Sequence, residues 1–325
     1  MLVSLAGGVG AARFLNGLVR AVPPSDVVAI VNTADDEEFH GLYVSPDLDS
    51  VTYTLAGASN AAQGWGLEGE TFATLDALGR YGVDTWFRLG DKDLATHLFR
   101  TERLRAGASL TEVTAEITRS WDLGLALLPM TDDRVRTRIT VERPGGATEE
   151  IAMQRWFVGE RAESPVVSVR FDGADAARPA PGVLEALRTA DTIVICPSNP
   201  VISIGPILAV PGIRDALAAT PAPVVGVSPI IGGTVVRGMA DACLHAIGVE
   251  TDAAAVGLHY GPRSAGGLLD GWLVDEADAA AVPVLERAGL RAASVPLWMR
   301  DPDTSAALAG AALDLGARPA GDRRG

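Results

Sequence analysis

The chain has 325 residues, of which 48% are hydrophobic and 21% are charged, so it can bury a large core as one domain with an insertion or as two packed domains. Its net charge of −14 disfavours a nucleic-acid partner, because such partners are bound through basic patches. No run approaches the roughly 20 apolar residues of a membrane span, and the N-terminus lacks a signal-peptide pattern. We therefore expect a cytoplasmic protein with no membrane partner.

The cysteine content agrees with this expectation. Cys196 and Cys243 lie far apart and form neither a CxxC pair nor a zinc-ligand spacing. They leave no framework for disulfides, which are rare in the cytoplasm. Two buried thiols are the simplest interpretation.

The first 31 residues predict a strand, a glycine turn, a helix and a second strand. An apolar run at 1–6 is followed by three glycines within 7–10, then by a helical pattern through Phe14, Leu15 and Leu18. A second apolar run, Val27–Val31, ends where polar residues begin. Two parallel strands joined by a crossover helix follow from this order.

Short apolar runs typical of buried strands occur again in the second half of the chain. Short β-branched runs at 166–169, Thr192–Ile195 and Val224–Val227 predict buried parallel strands. Between 61 and 160 the pattern changes to longer helices, one opened by a capping box at 109–112, and then to a hairpin around 144–146.

We therefore predict an α/β fold whose Rossmann-like parallel-sheet core is formed by residues 1–60 and 161–315. A mostly helical insertion with one hairpin, residues 61–160, is expected to form part of the substrate pocket. Residues 316–325, rich in Arg, Pro and Gly, are expected to be a flexible tail.

The glycine turn lies between a strand and a helix, where backbone N–H groups can approach a phosphate. It does not match the dinucleotide fingerprint, because Arg13 stands where a glycine or alanine is needed and the second strand ends in Asn32 rather than an acid. No Lys-Ser or Lys-Thr follows, as a Walker loop would require. Taken alone, the turn is best explained as a structural one, a tight turn with close packing of the helix on the strand.

Six acids cluster within 35–49, at the carboxyl end of the second predicted strand, where open parallel sheets bind ligands. A magnesium ion is one way to compensate such a cluster. For Glu37 and Glu38 we favour a solvated loop. Asp47 and Asp49 stand beside an apolar run, and in an extended segment both carboxylates would point the same way and share one cation.

A second polar segment combines aromatic and charged residues. Trp86 and Phe87 can stack on a flat heterocycle while Arg88 or Lys92, the only lysine, meets a phosphate or a polar chain. For Asp93 we expect no more than a weak surface ion pair with this lysine.

A third polar segment follows the predicted strand Thr192–Ile195. Two prolines hold the loop, and Ser198, Asn199 and Ser203 offer hydrogen bonds before Gly205 opens a turn. Such a rigid polar loop suits recognition of a nucleobase or a phosphate.

These segments, taken in order, resemble the 2-phospho-L-lactate transferase family, which includes bacterial phosphoenolpyruvate transferases of coenzyme F420 biosynthesis. The resemblance covers nearly the whole chain, and its one departure is Lys92, where arginine is usual. The matching motifs are Gly7-Gly8-Val9-Gly10, Asn32-Thr33-Ala34-Asp35, Pro46-Asp47-Leu48-Asp49, Leu89-Gly90-Asp91-Lys92-Asp93, Pro197-Ser198-Asn199-Pro200 and Ser228-Pro229-Ile230-Ile231-Gly232-Gly233.

The resemblance implies a Mg²⁺-dependent phosphotransferase that acts on a guanosine diphosphate ester and the deazaflavin alcohol Fo. It also implies a homodimer. The Fo ribityl hydroxyl would attack the phosphorus that bears an enolpyruvyl or lactyl group, and GMP would leave. A non-catalytic nucleotide-sugar binder of similar fold and a structural domain without a ligand are the alternatives.

Site roles follow from the same resemblance. The catalytic residues would be Asp47, Asp49 and Asp91, of which Asp47 and Asp49 would hold the metal. Fo would be bound by Asp49, Arg88, Asp91 and Lys92. The guanosine ester would be bound by Gly7, Gly8, Gly10, Asn32, Asp35, Ser198, Asn199, Ser203 and Gly205.

Overall fold

A computed structural model describes residues 1–60, 63–236 and 238–317. Over these residues the chain forms 14 strands and 12 α-helices. The strands are β1 Leu2–Ala6, β2 Val27–Val31, β3 Glu37–Phe39, β4 Leu42–Val44, β5 Ala126–Pro129, β6 Arg136–Glu142, β7 Thr148–Ala152, β8 Val166–Asp172, β9 Thr192–Ile195, β10 Val224–Val227, β11 Ile230–Ile231, β12 Thr234–Val235, β13 Gly271–Val274 and β14 Arg291–Ser294.

The α-helices lie on both sides of these strands, and two π-helical turns, Arg155–Gly159 and Pro200–Ile204, accompany them. The helices are α1 Gly8–Ala21, α2 Pro46–Leu55, α3 Ala73–Gly79, α4 Asp93–Arg105, α5 Leu110–Ser120, α6 Val183–Thr189, α7 Gly205–Ala209, α8 Ile213–Ala219, α9 Ala240–Ala246, α10 Ala253–Tyr260, α11 Val282–Arg287 and α12 Pro302–Gly316.

A parallel sheet of seven strands in the order β14-β13-β10-β9-β1-β2-β5 forms the centre of the fold. From β1 the chain moves to β2 on one side, and β9 later pairs with the other side of β1. The strand order therefore reverses between β1 and β9. A crevice forms at such a reversal, outside the carboxyl ends of the strands, and is the usual ligand site of open α/β sheets.

The predicted α/β core is confirmed, and its central strands lie where the sequence placed them. Strands β2, β9 and β10 match the predicted runs residue for residue, and every residue of β10 is buried. The predicted hairpin corresponds to β6 and β7, which pair antiparallel. The capping box of α5 is also formed, with Ser109 and Glu112 each capping the other's backbone amide.

The predicted parallel strand at 166–169 is wrong. This segment, β8, pairs antiparallel with β6 in a separate three-stranded sheet of order β7-β6-β8, and much of it is exposed. Because β-branched residues favour both kinds of strand, composition did not distinguish them. Conversely, β5 lies within the range predicted to be an insertion but forms an edge strand of the main sheet beside β2.

Other expectations concern the cysteines, the termini and membrane contact. Both cysteines are free and buried, as predicted. Of the predicted tail, residues 318–325 lie outside the described residues. No single described helix combines the length and apolar character needed to cross a membrane, although the bent pair Pro200–Ala209 and Ile213–Ala219 meets that test jointly.

Helix α1, which follows the glycine turn, is held against the sheet by close packing on α12. Its buried side includes Phe14, Leu15 and Leu18. A Cβ atom built on Gly17 would lie 2.2 Å from the backbone carbonyl of Ser305 in α12, so the two helices touch through bare backbone. By contrast, a Cβ atom on Gly310 of α12 would meet no atom within 4 Å.

We expect Gly17→Ala to lower the free energy of unfolding by about 1 to 3 kcal/mol, because the new methyl group must push α12 away. The matched change Gly310→Ala adds the same methyl group in open space and should raise stability by up to about 1 kcal/mol through helix propensity. Urea unfolding of both variants measures the difference. Equal changes in the free energy of unfolding of the two variants would contradict the close contact between α1 and α12.

Candidate functional site

The glycine turn, the loop after β2 and the loop after β9 meet at the carboxyl edge of the sheet. The backbone N–H of Gly7 faces the hydroxyl of Ser198 at 3.4 Å. A Cβ atom on Gly7 would lie 2.7 Å from Cβ of Ser203 and 2.9 Å from Oδ2 of Asp47. Gly7 is therefore surrounded by three predicted site residues, and a side chain there would separate them.

The other predicted glycines have different reasons for being glycine. Gly8 has a φ of +70°, a conformation that other residues rarely adopt. A Cβ atom on Gly10 would lie 2.5 Å from the carbonyl oxygen of Pro197, so α1 and the loop after β9 approach through backbone. At Gly205 a Cβ atom would lie 3.1 Å from the ring of Phe171 in β8, so glycine allows close packing of this loop on β8.

Asn199 acts within its own loop. Its Oδ1 accepts hydrogen bonds from the amides of Val201, at 2.9 Å, and Ile202, at 3.2 Å, and so caps the π-helical turn that begins at Pro200. The predicted polar loop is rigid for this reason as well as for its prolines. The side chain of Asn199 also hydrogen-bonds with the thiol of Cys243 in α9, which ties the loop to that helix.

Asn32, fully buried at the end of β2, connects two of the acids. Its Nδ2 group lies 2.9 Å from Oδ2 of Asp35 and 2.9 Å from Oδ2 of Asp47. Its Oδ1 accepts the amide of Ala34 at 2.9 Å, which fixes the orientation of the side chain. One amide group therefore holds two carboxylates next to the glycine turn.

Asp35 and Asp47 make no ion pair with a cationic side chain among the described residues. Burial raises the pKa of Asp47 to about 6, against the hydrogen bonds from Asn32 and the Gly8 amide. Burial and the neighbouring Asp47 charge also raise the pKa of Asp35 well above its usual range. Burial raises the pKa of Asp36 in the same way, although Ser45 donates a hydrogen bond to it at 2.7 Å.

The expectation that Asp47 and Asp49 lie in an extended segment with parallel carboxylates is wrong. Both residues belong to the first turn of α2, where they point in directions roughly 200° apart around the helix axis. Pro46 at the first helical position and two acids in the first turn favour this helix start. Asp47 therefore faces the glycine turn, and Asp49 faces α4.

Asp49 is paired with a buried arginine. The guanidinium of Arg100 donates to both carboxylate oxygens, with one nitrogen 3.1 Å from Oδ2. Nδ1 of His97 lies 3.7 Å from the same Oδ2. Burial by itself would lower the pKa of Arg100, but the charge of Asp49 holds it above its usual value.

Asp93 is a buried member of the same network, not the surface ion pair that the sequence predicted. The hydroxyl of Tyr53 donates to its Oδ1 at 2.5 Å, and Nε2 of His97 lies 3.2 Å from its Oδ2. Burial would raise the pKa of Asp93, but the hydrogen bond and charge of His97 lower it. The chain Tyr53, Asp93, His97, Arg100 and Asp49 thus joins α2 to α4.

The structure places Asp91 and Lys92 at the beginnings of α3 and α4. The carboxylate of Asp91 accepts the amides of Ala73 at 2.9 Å and Thr74 at 3.0 Å, so it caps α3. Hydrogen bonds from the hydroxyl of Thr71 and from these amides lower its pKa. Nζ of Lys92 donates to the carbonyl of Glu68 at 2.7 Å.

Glu70, which precedes α3, caps the start of α4 in the same way. Its carboxylate accepts the amides of Lys92 at 2.9 Å and Asp93 at 2.8 Å, the first residues of α4. A Cβ atom on Gly90 would lie 2.1 Å from this carboxylate, which explains the glycine of the Gly-Asp-Lys-Asp motif. The two segments therefore cap each other's helices.

The predicted aromatic residues stack on one another. The ring of Phe87 is parallel to that of Phe39 at 3.9 Å, and Trp86 meets Phe39 edge to face at 5.5 Å. The guanidinium of Arg88 lies 4.0 Å above the ring of Phe72. Beside this cluster is an apolar groove of about 290 Å³, lined by His40, Leu42, Thr74, Leu75, Leu78, Leu89, Leu94 and Leu98.

The sequence interpretation missed His97, Arg100 and Tyr53. A polar stripe was visible, since Asp93, His97 and Arg100 recur at helical spacing where a buried helix normally carries apolar residues. What the sequence lacked was the partner, because Arg100 and Asp49 are 51 residues apart. The stripe was therefore compatible with a solvated face.

Comparison with known proteins decides the family. A family model described as 2-phospho-L-lactate transferase CofD matches residues 2–295. The chain belongs to the 2-phospho-L-lactate transferase family. It is therefore a transferase that acts on small molecules, and the predicted family is confirmed.

Individual relatives agree with this assignment. The chain is 53% identical over 315 residues to a phosphoenolpyruvate transferase of Streptomyces griseus, covering 97% of this chain and 98% of that protein. It is 47% identical over 322 residues to a phosphoenolpyruvate transferase of Mycolicibacterium smegmatis, covering 96% and 97%. A crystal structure of a UPF0052 family protein from Bacillus halodurans shares the fold, with a TM-score of 0.60, 19% identity and coverage of 96% and 99%.

We expect Asp47→Asn to stabilise the folded transferase at neutral pH when no metal is added. A buried acid with a raised pKa carries no penalty below its unfolded value near 4, and the penalty grows as the pH rises to about 6 and is complete above it. The shift corresponds to a gain on the order of 2 kcal/mol at pH 7.5.

Thermal unfolding of wild type and variant at pH 4, 6 and 7.5, with a chelator present, measures this gain. The exposed Asp314→Asn removes the same charge from the surface and should change stability by less than about 0.5 kcal/mol at each pH. A variant that is less stable than wild type at pH 7.5 would refute the burial penalty.

Proposed function

We propose that the transferase moves an enolpyruvyl phosphate group from a guanosine diphosphate ester to the ribityl hydroxyl of Fo, releasing GMP, in coenzyme F420 biosynthesis. The observation that carries the proposal is the meeting of three predicted ligand loops at the reversal of strand order, with Asp47 against Gly7. The relatives' name, phosphoenolpyruvate transferase, favours enolpyruvyl over the lactyl group.

The guanosine ester fits the edge between β1 and β9. The N-terminus of α1, a helix of 14 residues, carries no acid in its first turn and offers backbone amides and a positive dipole to a diphosphate. Ser198 and Ser203 stand beside Gly7 and supply hydroxyl groups. These contacts support binding of the diphosphate here, with the nucleoside toward the loop capped by Asn199.

The reaction is a displacement at phosphorus. The ribityl oxygen of Fo bonds to the phosphorus that carries the organic acid, the bond from that phosphorus to the GMP oxygen breaks, and the hydroxyl proton passes to water. In-line alignment and neutralisation of phosphate charge are the main requirements. The loops around Gly7 would hold the donor, and residues of α2 would face the acceptor.

A Mg²⁺ ion fits part of the predicted ligand pair. Asp35 and Asp47 are buried, share the amide of Asn32 and have raised pKa values, so a nearby dication would favour their charged forms. Asp49 fits less well, because Arg100 already neutralises it. We therefore propose Asp35 and Asp47 as the ligands, and the ion would supply charge neutralisation at the diphosphate.

The acceptor assignments remain proposals. Asp49 lies on the α4 side of the site and would receive hydroxyl groups of the ribityl chain. Asp91 and Lys92 hold the starts of α3 and α4, and α3 lines the apolar groove, so they support the acceptor side through these helices. Arg88 lies over Phe72 in the same region. We also propose a homodimer, which light scattering of the purified protein tests.

The direct test incubates the transferase with Fo and, separately, the enolpyruvyl, lactyl and glyceryl esters of guanosine diphosphate, with Mg²⁺ or with a chelator. We expect Fo to gain the enolpyruvyl phosphate mass, with GMP formed in equal amount, only when Mg²⁺ is present. Binding of a nucleotide without any turnover would favour the non-catalytic alternative. Turnover in the chelator would remove the metal from the proposal.

We expect Asn199→Ala to raise the KM for the guanosine ester about tenfold and to leave the KM for Fo within twofold. The change removes the cap of the π-helical turn, a loss on the order of 1 kcal/mol, and the side-chain amide that faces Cys243, so the loop proposed to face the nucleoside loosens. Asn199→Asp keeps the capping oxygen and separates the two effects. Equal rises in both KM values would argue for collapse of the loop instead.

A further inference from the structure

Helix α4 turns a polar face toward the body of the protein. Its buried residues are Asp93, Thr96, His97, Arg100 and Thr101. The inward face of a helix in a globular protein is ordinarily apolar, and that arrangement supplies most of its stability. The polar face of α4 therefore calls for a reason other than hydrophobic burial.

Arg100 is the extreme case on this face. Only 1% of the residue is exposed, and its guanidinium holds both oxygens of Asp49, which is 5% exposed. Removing two charges from water costs several kcal/mol for each ion, so apolar residues of similar size commonly give equal or greater stability. Stability alone does not account for this pair.

The same helix also fixes the hairpin that leads into α2. The hydroxyl of Thr101 accepts the amide of Tyr43 in β4 at 2.8 Å. The guanidinium of Arg105 donates to the carbonyl of Gly41 at 2.8 Å. Together with the pairing of Arg100 and Asp49, these bonds set where α2 begins relative to the glycine turn.

Asp49 keeps capacity for a further partner. A carboxylate offers about four lone-pair positions, and the two bonds from Arg100 fill two of them. The guanidinium fork is planar and rigid, so it fixes the plane of the carboxylate as well as its position. The remaining positions are thereby presented in one orientation.

We propose that Arg100 is a positioning residue for the acceptor: it fixes the carboxylate of Asp49 so that this acid receives a hydroxyl group of the Fo ribityl chain. This inference rests on the proposed function. It assigns Arg100 no direct contact with either substrate. It also explains why a costly ion pair stands where apolar packing would serve the fold.

A metal ion is a weaker interpretation of the same cluster. Ligand atoms of Asp49, Asp93 and His97 lie within 4.8 Å of one another. However, both oxygens of Asp49 are engaged by Arg100, and Asp93 accepts the hydroxyl of Tyr53. A cation at this cluster would lie beside the buried guanidinium of Arg100, which carries a charge of the same sign.

The test compares three changes at this pair. Arg100→Lys keeps the charge but loses the fork. Arg100→Met removes the charge and leaves Asp49 unpaired, and Arg100→Met with Asp49→Leu replaces the whole pair by apolar side chains. Arg103→Lys is the matched control, because Arg103 makes a similar two-nitrogen pair with Glu116 on the exposed side of α4. Melting temperature, kcat and the KM for each substrate are measured.

We expect Arg100→Lys to lose at least about tenfold in kcat/KM for Fo, while the KM for the guanosine ester stays within twofold. Arg100→Met should lose more and also melt lower, and Arg103→Lys should resemble wild type. The double variant should recover the wild-type melting temperature, but its kcat/KM for Fo should stay low.

Two results would overturn the inference while the proposed function stands. One is a double variant with wild-type kinetics, which would make the pair purely structural. Another is an Arg100→Lys variant whose two substrates are affected equally or not at all. Because Arg100→Lys retains the buried charge, it decides the matter even when the double variant does not fold. A wild type without turnover overturns the proposed function as well, so the two failures are distinguishable.

Discussion

Buried carboxylates at the carboxyl edge of the sheet are the constraint that organises this transferase. Asp35 and Asp47 share one amide of Asn32, while Asp49 is paired with the guanidinium of Arg100. An ionised carboxylate out of water is costly unless donors or cations compensate it. Compensation of the carboxylate charges is therefore uneven. Among the residues that the structure describes, Asp49, on the α4 side, has a cationic partner, whereas Asp35 and Asp47, beside Gly7, have hydrogen-bond donors alone. A site of this kind favours a cationic or metal-bound ligand where compensation is sparse.

The residues that surround these carboxylates come from two different parts of the chain. The loops after β1, β2 and β9 come from the parallel core, where strand order creates the crevice. The polar face of α4 comes from the segment between β4 and β5, and it contacts α2 through the pair of Arg100 and Asp49. The first turn of α2 is held between the two. Small shifts of α4 would therefore be felt at Asp47 and Asp49 together.

Stability and activity have opposing demands at this edge. The raised pKa of Asp47 means that the folded state favours the protonated form of this carboxyl group more than water does. Active sites commonly retain such groups at the expense of stability. By contrast, the carboxylates of Asp91 and Glu70 are compensated by the helix-starting amides that they cap. The carboxylates with raised pKa values, Asp35, Asp36 and Asp47, lie together at the carboxyl edge of the sheet.

The sequence by itself determined the central strands, the glycine turn and the identity of the acid loop, because β-branched runs such as Val27–Val31 and turn residues act locally. It could not decide that β8 pairs antiparallel outside the main sheet, since local preference is the same for either pairing. It also placed Asp47 and Asp49 on one face, whereas the helix that begins at Pro46 turns them apart. The partner of Asp49 was decided only by tertiary structure, because Arg100 reaches it from 51 residues away through packing of α4 on α2.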